Sequence, residues 1–472
     1  MGWFKRFAAI GCGLVGVLSA STVAAVGVPA CPDPIPADSW VVINGEQLPD
    51  SVIARLQQLP GNQGKPVSAA VLVATLVDNR LLAAQAEKTI KDIPAPPLSG
   101  VGFDPAYREQ QQIAGHFSTL FRKELDAFIE ARLQGHLSSA VVNRFEQARE
   151  QIRAVLTPEQ AYRTDMSPAQ QTRAQSLTVA TFTFPGRDPV SYTLWDLYWP
   201  QNIQMRLRMH GLEGDILIQA LNERVAADFV MQWVESESGL SDLEQRWLRR
   251  YVTDDHDKQS LMQSMGLARD FHEDNAVLRA RREALSQADI DRYYQANKSR
   301  FQQIESLSAR HIRVPNEARA DEVILALEHG MPFEQAVLTF SDADDRHADR
   351  PGALPDFASL KQQSPWLASI AATVEPGAWS RAIRAPVASS EPANYEIVWV
   401  DAREMGYFPA DSETVRYLAG REIASAALIN DYKSLRETLY DQSSLCVNTD
   451  RLGQSSADLK QLAATQTVRG AW

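Results

Sequence analysis

The chain has 472 residues, with 47 lysines and arginines against 59 aspartates and glutamates, a formal net charge of -12 at pH 7. A chain of this length is too long to fold around one compact core, so we predict two or three domains. The acidic balance argues against a nucleic-acid surface, which needs a clustered basic face. A hydrophobic content of 44% with 22% charged residues is ordinary for a globular protein and argues against wholesale disorder.

The first 30 residues have the composition of a targeting segment. Lys5 and Arg6 precede an apolar run over 7–18, and residues 19–25 are small and neutral, as signal peptidase requires. Two alternatives stay open. A loose lipobox would place a lipid on Cys31, and an uncleaved apolar stretch of ~20 residues could span a bilayer. All three predict export to the periplasm, with the mature protein free, lipid-anchored at Cys31 or tethered to the membrane through its N-terminus.

The three cysteines also bear on whether the mature chain carries a lipid or a disulfide. Cys12 would leave with a cleaved signal, so that Cys31 and Cys446 remain near the two ends of the mature chain. In an oxidising compartment they could form a disulfide. Lipidation of Cys31 and two unpaired thiols remain as alternatives.

The first elements after the targeting segment are a strand and two helices. Residues 39–46 alternate in hydrophobicity and stop at an Asn-Gly pair, which predicts a strand that enters a tight turn. Residues 48–56 predict a short helix with Asp50 as its N-cap. Leucine and valine recur at three- and four-residue spacing over 67–90, which is typical of a long helix.

A Pro- and Gly-rich linker over 91–105 leads into a charged helical block at 107–155, broken near Gly135. Residues 177–185 and 190–197 predict a β-hairpin around a Gly-Arg-Asp turn. Further helices are predicted over 215–237 and 241–252. Several of the ten tryptophans fall between 190 and 250, where core packing is the default and an apolar cradle for a client chain is the alternative.

Residues 309–400 carry the most specific pattern of the chain. It consists of an alternating strand with a histidine, a helix, two glycine-containing loops and an apolar strand, in the following order: 309–314, 330–336, 352–357, 374–380 and 395–400. In that order these segments resemble the parvulin (PpiC-like) family of peptidyl-prolyl cis-trans isomerases, or rotamases. The resemblance covers about a fifth of the chain.

The flanking segments resemble SurA- and PpiD-type periplasmic foldases. The helix predicted over 286–300, with Ser286 as its cap, enters the parvulin-like region as it does in that family, and a long helix over 414–440 closes it. The resemblance implies an α+β fold. A mainly helical chaperone body is drawn from residues 31–285 and 406–472, with its last strand close to its first. A small parvulin-like α/β domain spans 286–405.

Prolyl isomerisation breaks no bond and needs no nucleophile, metal or cofactor, only selective binding of the twisted amide. The resemblance implies two facing histidines and a cysteine or aspartate near them. His311 matches the first histidine, whereas Glu396 stands at the position of the second. The cysteine-or-aspartate position falls on Ala343, flanked by Asp342 and Asp344. The candidate catalytic residues are therefore His311, Glu396, Asp342 and Asp344.

The resemblance also implies an apolar pocket for the proline ring. Leu354 is retained, and counting on from Phe357 places Gln362 at the methionine position and Trp366 at the phenylalanine position. A tryptophan face can still hold a proline ring, since it is large, flat and apolar. These four residues are the candidate substrate-binding residues.

The exchange of histidine for Glu396 has an electrostatic consequence. A carboxylate facing His311 raises the pKa of the imidazole and favours imidazolium. We therefore expect isomerase activity to be weak or lost. The simpler alternative is that His311 is a satisfied, half-buried strand histidine.

No other motif indicates a metal or cofactor. The acidic tract over 342–349 lacks the central glycine and terminal glutamate of a calcium loop, so we expect a solvated loop. His272 has no second histidine at helical spacing, which argues against a zinc motif.

The sequence therefore favours a periplasmic folding factor that binds unfolded secreted or outer-membrane polypeptides, including proline-containing ones. The alternative is a non-enzymatic assembly or scaffold protein that uses a degenerate parvulin domain to dock a single envelope partner.

Overall fold

The computed structural model describes residues 30–59, 67–90, 102–157, 166–213, 215–267, 275–386 and 393–470. The targeting segment up to residue 29, most of the linker at 91–105 and His272 lie outside these residues. The chain forms two compact units: residues 1–268 with 431–472 form unit 1, and residues 269–430 form unit 2. The predicted parvulin-like region, 286–405, falls inside unit 2, whereas the predicted C-terminal segment, 406–472, is divided between the units.

The described residues are mainly helical with small antiparallel sheets, which confirms the predicted α+β class. The strands are β1 (Ser39–Ile43), β2 (Glu46–Pro49), β3 (Val141–Asn143), β4 (Thr178–Phe182), β5 (Val190–Thr193), β6 (Gln302–Val314), β7 (Ile383–Arg384), β8 (Tyr395–Tyr407) and β9 (Leu445–Val447). They form three sheets with the orders β2-β1-β9, β3-β4-β5 and β6-β8-β7.

The α-helices of unit 1 that precede unit 2 are α1 (Asp50–Leu56), α2 (Ala69–Ile90), α3 (Pro105–Leu120), α4 (Arg122–Arg132), α5 (Arg149–Val155), α6 (Pro168–Ser176), α7 (Leu194–Tyr198), α8 (Ile203–His210), α9 (Ile216–Ser236) and α10 (Asp242–Ser264). Unit 2 contains α11 (Ala276–Glu283), α12 (Gln287–Ala296), α13 (Glu317–Glu328), α14 (Phe333–Phe340), α15 (Phe357–Gln363) and α16 (Pro365–Thr373). The C-terminal helices are α17 (Glu413–Asp441), α18 (Thr449–Leu452) and α19 (Ser456–Gly470).

Three local predictions in unit 1 are wrong for identifiable reasons. Asp50 is the first residue of α1 and not its cap, because Pro49 takes the extended N-cap conformation at the end of β2. Residues 194–197 are helical, since Thr193 and Asp196 form a capping box that starts α7. The block at 107–155 contains β3, which pairs with β4.

The long apolar helix α2 lies in the core of unit 1. Among the described residues it is the one helix that is long and apolar enough to cross a membrane, yet 61% of its apolar window is buried inside the protein. Its Val73 and Val77 are fully buried in the main hydrophobic cluster of unit 1. We therefore interpret α2 as a core helix.

The two ends of the chain close unit 1 together. Strand β9 pairs antiparallel with β1, with Cys446 opposite Val42, and the thiol of Cys446 forms a disulfide with Cys31 across 415 residues of sequence. A buried carboxylate adds a second connection. Asp78 on α2 accepts hydrogen bonds from Arg436 at 2.5 Å and from Tyr440 at 3.3 Å, both on α17. The pairing of the first and last strands confirms the expectation that one body is assembled from both chain ends.

The disulfide should stabilise unit 1 measurably. We expect Cys446→Ser in the mature protein to lower the free energy of unfolding by about 2–4 kcal/mol, because it releases a very long loop in the unfolded chain. Chemical denaturation followed by tryptophan fluorescence would measure this loss. Cys31→Ser should cost the same amount, and the double variant no more than either single one. A large difference between the two single variants, or loss of membrane association in Cys31→Ser alone, would indicate that Cys31 carries a lipid.

Candidate functional site

The centre of unit 2 is the long antiparallel pair of β6 and β8. His311 lies opposite Val398, and Arg313 lies opposite Glu396. Because side chains alternate along a strand, His311 and Arg313 share one face of the sheet with Glu396 and Val398. Ile312 and Ile397 point to the other face.

Different helices cover the two faces. The helices α13 and α14 pack on the face of Ile312 and Ile397, where Val323 and Val337 are fully buried. The helices α15 and α16 pack on the other face, where Leu360 and others form a cluster with Val398 and Val400. We call the second face the site face, since it carries His311 and Glu396.

Four charged side chains form a compact cluster on the site face. His311 Nδ1 lies 2.6 Å from Glu396 Oε2, and His311 Nε2 lies 3.0 Å from Asp345 Oδ2. Arg313 Nε donates to Glu396 Oε1 at 2.7 Å. Glu396 is fully buried and His311 is only 4% exposed. The carboxylate of Glu396 is thus held between two cationic groups of β6.

This geometry determines the protonation of His311. Ionised carboxylates only accept hydrogen bonds, and a neutral imidazole has a donor on just one of its two nitrogens. With a carboxylate oxygen at each nitrogen, only imidazolium makes both bonds. Burial lowers the pKa of His311, but the hydrogen bonds and charges of Glu396 and Asp345 outweigh it and raise the pKa above the ordinary 6.5. The structure thus brings His311 and Glu396 into the expected contact.

A glycine positions the loop that carries Asp345 against β6. Gly352 has a φ of +67°, and a Cβ there would lie 2.5 Å from the backbone oxygen of His311. His311 N donates to Gly352 O at 2.8 Å, and Gly352 N donates to Asp345 O at 3.2 Å. The close approach of these backbones requires glycine and places Asp345 beside the imidazole.

Three of the four predicted pocket residues lie in the apolar layer of the site face. Leu354 N donates to Ala309 O at 2.9 Å, which fixes Leu354 beside β6. Phe357 and Trp366 pack with Leu354 against the cluster of α15 and α16. Gln362 is exposed on α15 and does not belong to this cluster. Whether any of the four binds a client stays a prediction.

The structure does not bring Asp342 or Asp344 to His311. Both side chains are exposed, while Ala343 between them is buried. Asp345 bonds to the imidazole instead, and no feature of the sequence separates it from its acidic neighbours. Arg313 was also missed, although its position two residues after His311 places it on the same strand face.

A comparison with protein families finds a match for most of unit 2. Residues 285–415 match the PPIC-type PPIase domain. Over these residues the chain is similar to parvulin-type isomerases, and we call 285–415 the parvulin domain. No curated protein matches the chain. The parvulin domain lies within unit 2, and its match includes all the candidate site residues.

Solved structures of foldases are similar to the chain at low identity. The foldase PrsA from Streptococcus pneumoniae is 14% identical, covering 61% of this chain and 99% of its own, with a TM-score of 0.21. PrsA from Bacillus subtilis is 19% identical, covering 53% and 88%, with a TM-score of 0.18. A SurA-like chaperone structure from Campylobacter jejuni is 14% identical, covering 45% and 90%, with a TM-score of 0.19. At these TM-scores the family match to 285–415 alone carries the assignment.

Removal of the buried charge should lower the pKa of His311. In Glu396→Gln the imidazole keeps its burial but loses the carboxylate that raises its pKa most, so the pKa should fall. An NMR titration of the histidine Cε1–Hε1 signals would measure the change, with His311→Asn to assign the resonance. Asp342→Asn removes an exposed neighbouring charge and should leave the pKa almost unchanged. Equal shifts in both variants would contradict a specific pair between His311 and Glu396.

The same shift has a consequence for stability. A histidine whose pKa is higher in the folded state stabilises the fold fully below its unfolded pKa, and this contribution is lost as the pH rises through the folded pKa. The pair should therefore stabilise the parvulin domain less in alkaline than in mildly acidic solution. Hydrogen exchange of β6 amides at several pH values, corrected for intrinsic rates, would detect this loss, which should vanish in Glu396→Gln.

Substitution of Gly352 should disturb the loop of Asp345. Gly352→Ala introduces a Cβ close to a backbone oxygen, so we expect a loss of roughly 2–4 kcal/mol in the free energy of unfolding. Gly330→Ala is a matched control, because Gly330 also has a positive φ, of +90°, but open space around its Cβ position. Its loss should be only about 1 kcal/mol. Equal losses in thermal or chemical denaturation would contradict the steric requirement at Gly352.

Proposed function

We propose that this protein is a periplasmic folding factor whose parvulin domain binds proline-containing segments of unfolded polypeptides and isomerises them weakly or not at all. One observation carries the second half of this proposal. Both ring nitrogens of His311 are bonded to carboxylates, Glu396 and Asp345.

An imidazolium with both N–H groups bonded to carboxylates has no free donor for a twisted amide. Rotation about an X–Pro bond has a barrier of ~18–20 kcal/mol, which a catalyst lowers by polar groups that bind the twisted state better than the planar one. To make a new hydrogen bond, His311 would have to give up one of its two carboxylates. That exchange costs energy in a buried site, because it leaves a charged group without its partner. Weak catalysis follows from the ion cluster itself.

The apolar layer supports binding. Leu354, Phe357 and Trp366 lie on the same sheet face as His311 and are each half-buried, so part of each side chain remains accessible to a proline ring. Binding of an unfolded client would be weak for the area it buries, because the client loses conformational entropy when it is ordered. Such weak binding suits a folding factor, which must release its clients.

A dedicated scaffold is the second candidate function. It is favoured by the three replaced positions of the family site, Ala343, Gln362 and Glu396. In that case the parvulin domain would dock one envelope protein through the same face. Aggregation suppression on several unrelated unfolded clients would support the folding factor. Recovery of one stoichiometric partner from an envelope fraction, with no effect on unrelated clients, would favour the scaffold.

The isomerase activity can be tested with one variant that removes His311 and one that restores a second histidine. On a short proline peptide, we expect turnover by the mature protein close to the uncatalysed rate and unchanged by His311→Ala. The double variant Glu396→His, Arg313→Leu replaces the ion pair by a second histidine with no buried cation beside it. It should gain roughly 10-fold or more in kcat/KM, a modest share of the roughly 100- to 1000-fold that one well-placed polar group contributes to a transition state.

A protease-coupled isomerisation assay would measure these rates, with circular dichroism to show that each variant is folded. Arg319→Leu, on the opposite side of the sheet, serves as the control and should gain nothing. Robust turnover by the unchanged protein that collapses in His311→Ala would contradict the proposal of weak catalysis.

A further inference from the structure

The guanidinium of Arg313 is only partly used by the ion cluster. Its Nε donates to Glu396 Oε1, and the side chain is 42% exposed. A guanidinium has five N–H donors, of which four belong to Nη1 and Nη2. Within the described ranges 275–386 and 393–430 of unit 2, these two nitrogens have no acceptor within hydrogen-bond distance. Arg313 thus combines a fixed position with unused donors.

The position of Arg313 along β6 relates it to the proline site. Three residues of β6 follow one another on the site face: Ala309, His311 and Arg313. The first of them, Ala309, accepts the hydrogen bond from Leu354 N. Two residues along a strand span ~7 Å, so the Cα of Arg313 lies roughly 13 Å along β6 from the Cα of Ala309, next to the apolar layer. An extended client with its proline ring against Leu354 would place a residue within about four positions of that proline beside Arg313.

We infer that Arg313 selects client segments that carry a carboxylate, from aspartate or glutamate, within a few residues of the proline. This inference rests on the proposed binding of proline-containing clients to the site face. A guanidinium binds a carboxylate with charge-assisted hydrogen bonds, and the two Nη groups can do so while Nε keeps Glu396. Because the Nε bond already fixes the side chain, Arg313 loses less conformational entropy on binding a client than a free arginine would.

The surrounding charges do not cancel this attraction. The two cations of the cluster, Arg313 and His311, balance its two carboxylates, but Glu396 bonds only to Nε of Arg313 and leaves both Nη groups available. Asp342 and Asp344 are exposed, and solvent and salt screen exposed charges over ~8 Å at physiological ionic strength. A carboxylate in direct contact with the guanidinium outweighs acidic groups at longer range.

The test uses the mature full-length protein and a panel of short peptides with one proline. A single glutamate is moved from four residues before the proline to four residues after it, and each peptide has a partner with glutamine at the same position. Fluorescence anisotropy gives the dissociation constants, and competition by an unlabelled proline peptide shows that all bind at one site. At one or two positions we expect glutamate to bind about fivefold more tightly than glutamine, and less so at high salt.

The variants separate selection from folding. Arg313→Gln should abolish the preference for glutamate while the glutamine peptides still bind, and Arg313→Lys should retain part of it. Arg319→Gln is the matched control, since Arg319 has a similar exposure of 39% and lies on α13 at the opposite face. It should leave the preference intact.

Two failures have different meanings. If all peptides compete for one site but glutamate is never preferred, the selection by Arg313 is wrong and the proposed function survives. If no proline peptide binds at any position, both the selection and the proposed client binding are wrong. A preference that persists in Arg313→Gln would assign it to another residue and overturn the inference.

Discussion

The buried carboxylate of Glu396 is the constraint on which the site of the parvulin domain depends. A fully buried charge is tolerated only when it is paired, and loss of one partner of a buried ion pair costs about 3–5 kcal/mol. Arg313 and His311 provide that pairing from the neighbouring strand. The second nitrogen of His311 then needs an acceptor, which Asp345 supplies. A single acidic residue in the sheet thereby fixes the charge of its neighbours.

Under the proposed function, the ion cluster and the apolar layer would have opposite effects. The apolar layer of Leu354, Phe357 and Trp366 would bind a proline ring through contact area, which does not depend on charge. The ion cluster restrains the polar groups that would otherwise move to meet a twisted amide. On this proposal, a domain with both features would recognise proline segments more readily than it isomerises them.

The sequence predicted those parts of the structure that depend on periodicity or on a local motif. The order of the family segments implied that the positions of His311 and Glu396 face each other, and the structure places the two side chains in contact. Features that depend on contacts distant in sequence were not predictable. Asp345 reaches His311 only because Gly352 brings two backbones together, and its neighbours have the same charge and composition. Residues 194–197 alternate like a strand, but a capping box makes them helical.

The position of β9 has a consequence for the order in which the chain folds. Because β9 completes the sheet of unit 1, and α19 packs against α2, this unit lacks part of its core until nearly the whole polypeptide has been made. Unit 2, residues 269–430, is continuous in sequence and includes the first half of α17, where Ala419 packs with Ile290 of α12. As the chain is synthesised, all of unit 2 is therefore present before the last strand and the last helix of unit 1. A chain that stopped after residue 440 would lack β9 and α19, and unit 1 would be left without part of its core.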